Sequence, residues 1–364
     1  MLTETTFLND LSKLVAFKTL SDDPIENKKA LDFIVKRVSK KAIVKVIKNK
    51  DNYILIASNI KTLTPDVAYM VHVDVVAGKP EQFKMRVKKG IAIGRGVIDM
   101  KFSIPIGYEL LNELITRKSD LTFTLVITTD EEHGGYKGGQ FLADKIKFRP
   151  KALIVPDGGE GFRFINKSKG VCQLEILSKG KPSHASMPWD GKNAIEPLMK
   201  LGVELIKLYG PNNKKPCWKT TMGMGQISGG TSINQVCPEA SLKLDFRYPE
   251  TDSAAKIKDL VSKVAKKIDR EMKVNFISVG LPTFTNEKLP VVKDFIKALE
   301  KGTKEKVKIE GCYGASDARH FAKAKTPILM TEPYGIDIHG EKESLDIASA
   351  MKFYQALRIF LKLA

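Results

Sequence analysis

The chain has 364 residues, of which 43% are hydrophobic and 28% are charged. This length is sufficient for two globular domains, and the composition excludes a largely disordered protein. No stretch approaches the ~18 continuous apolar residues of a membrane-spanning helix. The start, MLTETTFLNDL, lacks the basic head and apolar run of a secretory signal. We therefore expect no membrane partner.

The net charge of +18 raises the hypothesis of a nucleic-acid-binding protein. The lysines, however, are spread over the whole chain and alternate with apolar residues, as is typical of solvated faces. We therefore expect no nucleic-acid partner.

The four cysteines are widely spaced and form no CxxC pair, which favours reduced thiols and a cytoplasmic location.

The first half of the chain alternates between predicted helices and strands. Apolar residues at three- and four-residue intervals predict helices over 4–18 and 26–39, and later over 102–117 and 137–147. The predicted strands are YILIAS, VAYMVHVDVV, LTFTLVITT and ALIVP. This alternation predicts an α/β domain with a mainly parallel sheet. The continuous apolar runs in the second and third strands predict central strands that are buried on both faces.

The pattern changes near residue 168. Strands are predicted at 170–178, SLKLDFRY and 274–279, with helices over 193–209 and 253–272. A strand–helix–strand–strand–helix–strand unit predicts a ferredoxin-like antiparallel sheet with two helices on one side. The alternation of helices and strands then resumes, with helices predicted over 290–301 and 344–362 and strands near 306–310 and 326–331. We therefore predict a larger domain, residues 1–168 and 281–364, interrupted by a smaller α+β domain, residues 169–280.

Two segments of the larger domain carry candidate metal ligands. His72 and Asp74 lie at i and i+2 near a strand end, so their side chains point to one face. This arrangement suits a histidine ligand oriented by a carboxylate, or an ordinary buried polar pair. Asp99, in GRGVIDMK, lies between a glycine-rich turn and a helix, where a carboxylate can bridge two cations or cap the helix.

The segment TTDEEHGG places Asp130, Glu131 and Glu132 directly after an apolar strand. Adjacent carboxylates that emerge from a core raise one another's pKa unless cations neutralise them. One can then bind a metal while its neighbour takes a proton from water. The alternative is a solvated acidic loop.

Two further candidates complete the set. Asp157 follows the apolar strand ALIVP, and His339 follows a short strand in YGIDIHGEKES. Polar residues at the strand ends of one α/β layer converge where such folds place their sites. Mixed nitrogen and oxygen ligands favour zinc, with cobalt or manganese as alternatives.

Nearly the whole chain resembles the family of co-catalytic zinc peptidases and deacylases. That family includes glutamate carboxypeptidase, succinyl-diaminopimelate desuccinylase, acetylornithine deacetylase, aminoacylase and dipeptidases. The resemblance lies in motifs of the family's order and spacing: HVD, GRGVIDMK, DEEHGG, GKPSHAS, NQVCPEASLKLDFR and YGASDARHF…IHGEKE. It implies a dinuclear metallohydrolase of C–N bonds with a zinc-peptidase-like catalytic domain, two Zn²⁺ ions and an inserted lid.

The resemblance also implies a role for each matching residue of the catalytic domain. His72 would bind one metal and His339 the other, with Asp99 bridging both. Asp74 would orient His72. Glu132 and Asp157 would each complete one metal sphere, and Glu131 would be the general base. The peptide bond after Asp99 is expected to be cis.

The inserted domain would act as the lid and the dimer interface, which implies a homodimer. His184 matches the residue that stabilises the oxyanion, often from the partner subunit. Asn234 and Arg247 match residues that hold substrate, and Ser316 lies in the family's glycine-rich substrate loop. His133 and His320 match no functional position, and we interpret both as structural.

The substrate class remains open between two alternatives. Asp157 stands where many deacylases have glutamate, and it resembles the aminopeptidase and dipeptidase members. The compact length and lid motifs are more similar to the desuccinylase and carboxypeptidase members, although Gly335 replaces the desuccinylase's substrate-binding asparagine. We predict hydrolysis of short peptides, with N-acyl amino acid deacylation as the alternative. A non-catalytic binding protein on this scaffold is the remote alternative.

Overall fold

The computed structural model describes all 364 residues, which form two compact units. The larger unit comprises Met1–Lys167, Phe284–Cys312 and Ser316–Ala364. The inserted unit comprises Ser168–Thr283 and Tyr313–Ala315. None of the helices combines the length and the apolar character that crossing a lipid bilayer requires.

The strands are short apart from those of the inserted unit. In chain order they are β1 (Ile43–Asn49), β2 (Asn52–Ser58), β3 (Val67–His72), β4 (Arg86–Lys88), β5 (Ile91–Ile93), β6 (Phe123–Thr128), β7 (Leu153–Val155), β8 (Phe164–Ser168), β9 (Gly170–Lys179), β10 (Thr221–Gly229), β11 (Glu239–Tyr248), β12 (Lys273–Gly280), β13 (Thr283–Phe284), β14 (Ile309–Cys312), β15 (Ile328–Met330), β16 (Gly335–Ile336) and β17 (Ser344–Asp346).

Several helices begin after a residue whose side chain caps the helix. The helices are α1 (Glu4–Ala16), α2 (Pro24–Val35), α3 (Ser103–Thr116), α4 (Gly139–Phe141), α5 (Ile195–Tyr209), α6 (Ala254–Ile268), α7 (Pro290–Thr303) and α8 (Ile347–Phe360). At the start of α2, the Asp23 carboxylate accepts hydrogen bonds from the backbone N–H groups of Ile25 and Glu26, which otherwise have no partner. The helix predicted over 137–147 is reduced to α4 and a π-helical turn, Leu142–Ile146.

A nine-stranded sheet forms the centre of the larger unit, in the order β1-β2-β6-β3-β7-β15-β8-β13, with β14 beside β8. Strand β3 runs parallel to both β6 and β7, and β15 runs parallel to β7. The edge hairpin β1–β2 joins β6 in antiparallel orientation. The predicted α/β class with a mainly parallel centre is therefore confirmed.

The central strands are buried on both faces, as their apolar runs predict. All residues of β3 and β6 are buried. Val67, Tyr69 and Val71 pack in one hydrophobic cluster, whereas Ala68 and Met70 pack in another, because successive side chains point to opposite faces. The first cluster includes residues of the long helices α1, α2, α3, α7 and α8.

A second, small sheet of the larger unit has the order β16-β17-β5-β4. Its strands contain only two or three residues each and carry no long apolar run. The sequence predicted only the short strand before His339, which is β16. Leu345 pairs with Ala92 across β17 and β5, which joins parts of the chain more than 250 residues apart.

The inserted unit is an antiparallel sheet of order β10-β11-β9-β12 with helices α5 and α6. Along β11, buried residues alternate with more exposed ones, which is typical of a sheet that is covered on one face. Leu174, Leu244, Leu201 and Val261 meet in its hydrophobic core, which joins the sheet to both helices. The predicted β-α-β-β-α-β order is confirmed, although the sequence had given no range for the strand β10.

Candidate metal centre

Side chains with metal-binding chemistry gather at the carboxyl ends of the central parallel strands. His72 is the last residue of β3, Glu131 and Glu132 begin a short turn after β6, and Asp157 follows β7 by two residues. Parallel strands end at the same edge of a sheet, so residues far apart in sequence meet there.

Asp99 lies between two histidines that belong to distant parts of the chain. Its Oδ1 is 3.0 Å from His72 Nε2, and its Oδ2 is 3.0 Å from His339 Nε2. Each carboxylate oxygen therefore faces a different imidazole. This is the arrangement that a carboxylate bridging two cations requires.

Two groups of three ligand atoms share Asp99. His72, Asp99 and Asp157 form one group, and Asp99, Glu132 and His339 form the other, with the atoms of each group within 4.8 Å of one another. Glu132 is also close to His339, with 3.1 Å between Oε2 and Nε2. The structure thus brings together all five ligands that the sequence predicts.

The backbone around two of these residues is irregular. Helix α3 begins at Ser103, after Phe102 as its N-cap, so the alternative of Asp99 as a helix cap is wrong. The peptide bond between Asp99 and Met100 is cis. His339 lies in the turn between β16 and β17 with a φ of 64°, and its side chain is 48% exposed, whereas that of His72 is 1% exposed.

The two histidines and the Asp99 carboxylate stabilise one another's charged forms. Burial by itself lowers the pKa of His72, but hydrogen bonds to Asp74 and Asp99 raise it well above its usual value. Hydrogen bonds to Asp99 and Glu132 raise the pKa of His339 to about 10. Burial opposes ionisation of Asp99, but the two histidines hold its pKa below its usual value.

For the neighbouring carboxylates, burial and the charges of other acids outweigh the nearby cations. Burial and the charge of Asp99 raise the pKa of Asp157 to about 7. Burial and the charge of Asp157 raise the pKa of Glu131 well above its usual value. The same two causes raise the pKa of Glu332 well above its usual value. An excess of buried acids around two imidazoles is a donor set that divalent cations neutralise. The residues therefore fit two cations with mixed nitrogen and oxygen ligands.

Asp74 organises the site mainly through the backbone. The ring Nδ1 of His72 donates to the backbone carbonyl of Asp74 at 2.9 Å, whereas the carboxylate is 3.5 Å away. That carboxylate accepts hydrogen bonds from the N–H groups of Glu131 and Glu132, at 3.3 and 3.1 Å, and from the Ser21 hydroxyl at 2.6 Å. Asp74 thus links His72 to the turn that carries both glutamates.

The same turn is held from its other side by the helical turn Asp317–Ala324. His320 Nε2 donates to the carbonyl of Gly134 at 3.1 Å, and Thr128 donates to Asp317 at 3.1 Å. Arg319 Nη1 is 3.9 Å from Glu131 Oε1, and both side chains are largely buried. His320 therefore contacts the backbone of this turn, and Glu131 has a cation as its neighbour.

In the inserted unit, the structure brings His184 and Asn234 together. Both residues are exposed and line one cavity of about 560 Å³ with Ser183, Thr231 and Ser232. The ring Nδ1 of His184 pairs with the Ser186 hydroxyl at 2.8 Å and accepts the backbone N–H of Ser186 at 3.2 Å.

The structure does not place Arg247 in that cavity. Arg247 pairs with Val171 across the sheet, whereas Glu239, which lies nearer Asn234 in the chain, pairs with Lys179. Arg247 Nε donates to Asp245 at 2.7 Å. In the larger unit, Ser316 is buried, and its hydroxyl accepts a hydrogen bond from the backbone N–H of Ala318 at 3.3 Å.

Sequence reasoning missed several side chains of the site. Glu332 follows β15 by two residues, and its Oε2 accepts the N–H of Gly158 at 3.1 Å. Glu332 could have been predicted from the sequence, because it is a carboxylate just after an apolar strand, which is the signal that identified Asp157. Arg95, Arg319 and Glu343 lie within recognised motifs, but no local feature distinguishes them. Their roles follow only from contacts across the fold.

Comparisons with known proteins agree with this geometry. The sequence model of Peptidase family M20/M25/M40 matches residues 68–363. A succinyl-diaminopimelate desuccinylase from Nitrosomonas eutropha is 24% identical over 315 residues, covering 82% of this chain and 83% of its own.

Two solved structures share the fold over their full length. An M20 family metallo-carboxypeptidase from Sulfolobus solfataricus superposes with a TM-score of 0.82 at 17% identity, covering 100% of this chain and 99% of its own. A tripeptidase from Staphylococcus aureus superposes with a TM-score of 0.81 at 18% identity, with the same coverage.

Proposed function

The chain belongs to Peptidase family M20/M25/M40 and is a metal-dependent hydrolase of C–N bonds, and we propose that it cleaves short peptides. His72, Asp99 and Asp157 would hold one cation, and Asp99, Glu132 and His339 the other. We propose Zn²⁺ for both, because imidazole and carboxylate donors suit it. Cobalt and manganese are the alternatives.

One observation carries this proposal. The two oxygens of Asp99 each lie 3.0 Å from a different histidine, and each histidine has a further carboxylate within reach. An isolated aspartate–histidine pair could be an ordinary buried polar pair, but two ligand groups that share one carboxylate offer the donors that a dinuclear centre would need. The proposal therefore depends on the geometry of Asp99 more than on any other feature.

The chemistry divides between the cations and the protein. Bound divalent cations act as Lewis acids that polarise a carbonyl and make water more acidic. Glu131 belongs to neither ligand group, and it lies directly beside Glu132 on the same turn. In our proposal, the free Glu131 carboxylate takes a proton from the attacking water and returns it to the leaving amine. Asp74 and Arg319 hold Glu131 in place for these transfers.

The choice between peptides and N-acyl amino acids depends on the groups that recognise the substrate ends. Asp157 favours the peptidase proposal, since it resembles the aminopeptidase and dipeptidase members. The relative from Nitrosomonas eutropha, a named desuccinylase, supports the second candidate, N-acyl amino acid deacylation. A cation such as Arg247 suits a free carboxylate in both classes.

We also propose a homodimer, because the proposed substrate residues of the inserted unit lie too far apart to act within one copy. The Arg247 end of β11 and the Glu239 end are eight residues apart. Antiparallel strands rise about 3.4 Å per residue, so these ends lie about 27 Å apart. His184 and Asn234 lie beyond the Glu239 end. A small substrate can contact both ends only if two copies contribute.

An exposed apolar face supplies a surface for this second copy. Met199, Val203 and Ile206 lie at i, i+4 and i+7 on α5, and each side chain is more than half exposed. Beside them, the edge strand β10 exposes Met224 and Ile227. An apolar helix face next to an unpaired strand edge can form a self-complementary interface across a two-fold axis.

None of the four cysteines forms a disulfide in this structure: Cys172 and Cys237 are buried, and Cys217 and Cys312 are partly buried. Free thiols persist in reducing compartments, whereas secreted proteins tend to pair them. On this ground we propose a cytoplasmic location.

A substrate panel tests the proposed function. Protein loaded with zinc or cobalt would be incubated with dipeptides, tripeptides and N-acyl amino acids, and amine release would be measured. We expect hydrolysis of peptides with a free amino terminus. Hydrolysis of acylated substrates alone would favour the deacylase. No hydrolysis by protein that binds two cations per chain would overturn both proposals.

A further inference from the structure

A buried ion pair joins the two segments that carry Asp99 and His339. Arg95 and Glu343 are 3% and 1% exposed, and Arg95 Nη1 donates to Glu343 Oε2 at 2.7 Å. Both residues belong to the larger unit, but 248 positions separate them in the sequence. Arg95 lies four residues before Asp99, and Glu343 lies four residues after His339.

Glu343 reaches the backbone of the bridging carboxylate. Its Oε1 accepts hydrogen bonds from the N–H groups of Ile98 and Asp99, each at 3.3 Å. The backbone carbonyl of Glu343 also accepts the N–H of Gly94 at 3.1 Å. The non-helical segment 94–99 therefore obtains three of its hydrogen bonds from a single distant residue.

Arg95 reaches the backbone of the histidine ligand. Its Nη2 donates to the carbonyl of His339 at 2.9 Å. Gln82 donates from Nε2 to the next carbonyl, that of Gly340, also at 2.9 Å. Gln82 is in turn tied to Arg95, whose N–H donates to the carbonyl of Gln82 at 2.8 Å. Two buried side chains thus hold successive carbonyls of the loop in which His339 has a positive φ.

The energetics of such pairs argue against stability as their main contribution. A buried ion pair often adds little net stability, because desolvation of both charges offsets their attraction, whereas loss of one partner is costly. A planar guanidinium and a carboxylate fix the geometry of their surroundings, since each makes several directed hydrogen bonds. Apart from a bond from Arg95 Nη2 to the carbonyl of Ala77 at 3.3 Å, the bonds of this pair end on the partner or on backbone beside a proposed cation ligand.

We infer that Arg95 and Glu343 are positioning residues that set the separation between Asp99 and His339 for the second cation. This inference rests on the proposed function, because it assigns the pair a role in a dinuclear centre. Gln82 supports the same loop from the side. Neither Arg95 nor Glu343 touches substrate in this assignment, and both act through the backbone of the ligands.

The test compares zinc affinity with stability in matched variants. Glu343→Gln keeps the shape but places an amide donor against Arg95, and Arg95→Lys keeps the charge but loses the planar fork. The control is Glu113→Gln, because Glu113 forms a similarly buried pair with Arg358, 3.0 Å apart, that touches no proposed ligand. Competition with a chromophoric chelator measures the two zinc dissociation constants, and urea unfolding of metal-free protein measures stability.

We expect both site variants to weaken binding of one zinc ion by about 10–100-fold, as is typical when residues behind metal ligands change. The control should lose stability while it keeps both affinities. Wild-type affinities in Glu343→Gln together with a loss of stability would overturn the inference. If Glu343→Gln does not fold, Arg95→Lys decides by the same criterion.

Zinc binding by the wild-type protein distinguishes a failure of this inference from a failure of the proposed function. If the wild-type protein binds fewer than two zinc ions, the dinuclear proposal fails and the inference fails with it. If it binds two and the site variants bind as the wild type does, only the inference fails. If the variants lose one ion selectively, both stand.

Discussion

At the scale of single residues, Asp74 contributes more to the site than its distance from His72 suggests. Its carboxylate accepts two backbone N–H groups of the Glu131–Glu132 turn and the Ser21 hydroxyl. Because Asp74 is fully buried, few other groups can replace these bonds. The position of the proposed base therefore depends on a residue that precedes it by 57 positions.

Substitution of Asp74 by alanine should lower kcat about 100-fold, since small displacements of catalytic groups have effects of this size. Ser21→Ala removes one of the three hydrogen bonds and should lower kcat less than tenfold. The double variant should lose no more than Asp74→Ala alone, because Ser21 acts through Asp74. Asp22→Ala, an exposed neighbour, is the control. Additive losses in the double variant would contradict this account.

Glu131→Gln tests the proposed base directly. We expect kcat to fall about 10²–10⁴-fold, the usual contribution of a general base. KM and the number of bound zinc ions should stay unchanged, because Glu131 belongs to neither ligand group. Glu26→Gln on α2 is the control. Turnover at the wild-type rate would remove Glu131 from the mechanism, and loss of zinc would make it a ligand.

At the scale of elements, Lys101 connects the Asp99 segment to the first helix. Its Nζ donates to the carbonyls of Leu14 and Phe17, at 3.0 and 2.9 Å, at the carboxyl end of α1. These carbonyls would otherwise lack partners, because a helix leaves its last C=O groups unpaired. A fully buried lysine thus joins the end of α1 to the segment that follows Asp99.

The amino ends of the central strands are joined by Asp66. Its carboxylate accepts hydrogen bonds from Lys151 at 2.8 Å and from both the N–H and hydroxyl of Thr122, at 2.9 and 2.8 Å. The bonds from Lys151 and Thr122 lower the pKa of Asp66 to about 2. The contacts link the start of β3 to the starts of β6 and β7.

We predict a pH-dependent contribution of Asp66 to stability. Its pKa is lower in the folded state than the ordinary value of 3.8, so the ionised form stabilises the fold above pH 3.8. That contribution should disappear as the pH falls through about 2. Asp66→Asn should lower the free energy of unfolding at pH 7 by about 1 kcal/mol or less, since solvent screens a partly exposed pair.

Urea unfolding of wild type and Asp66→Asn at pH 7 and pH 2.5 measures this difference, which should shrink at the lower pH. Asp120→Asn, another surface aspartate near the start of β6, is the control. An equal difference at both pH values would mean that shape, not ionisation, is what the substitution changes.

At the scale of the whole molecule, the inserted unit presents its apolar face on α5 and β10. Ile227→Asp introduces a charge into this face, and we expect it to convert a dimer into monomers. If a partner copy supplies His184, kcat/KM should fall by at least about 100-fold, the usual loss of one oxyanion donor. Zinc binding should be unaffected, because the proposed ligands belong to the larger unit.

Light scattering after size exclusion, together with activity, measures both effects. Ile277→Asp is the matched control, because Ile277 is 51% exposed on the opposite edge strand β12, compared with 59% for Ile227. A wild-type monomer with full activity would contradict the homodimer. Dissociation by Ile277→Asp instead would move the interface to the β12 edge.

The local sequence determined the classes of structure and the chemistry of the centre. Continuous apolar runs predicted β3 and β6, because only a strand buried on both faces needs them. Alternation in the inserted unit predicted a sheet covered on one face. His72, Asp99, Glu132, Asp157 and His339 were candidates because histidines and carboxylates at strand ends, or after a glycine-rich turn, converge where α/β folds place their sites.

Only the tertiary structure decided how these candidates are held and which of them meet. The Arg95–Glu343 pair, the Asp74 contacts to the Glu131 turn and Glu332 beside Gly158 all join residues far apart in sequence. It also separated Arg247 from His184 and Asn234 along one sheet. Periodicity and motifs predict the strand or turn in which a residue lies. The partners across a fold depend on sheet order and loop path, which local patterns do not encode.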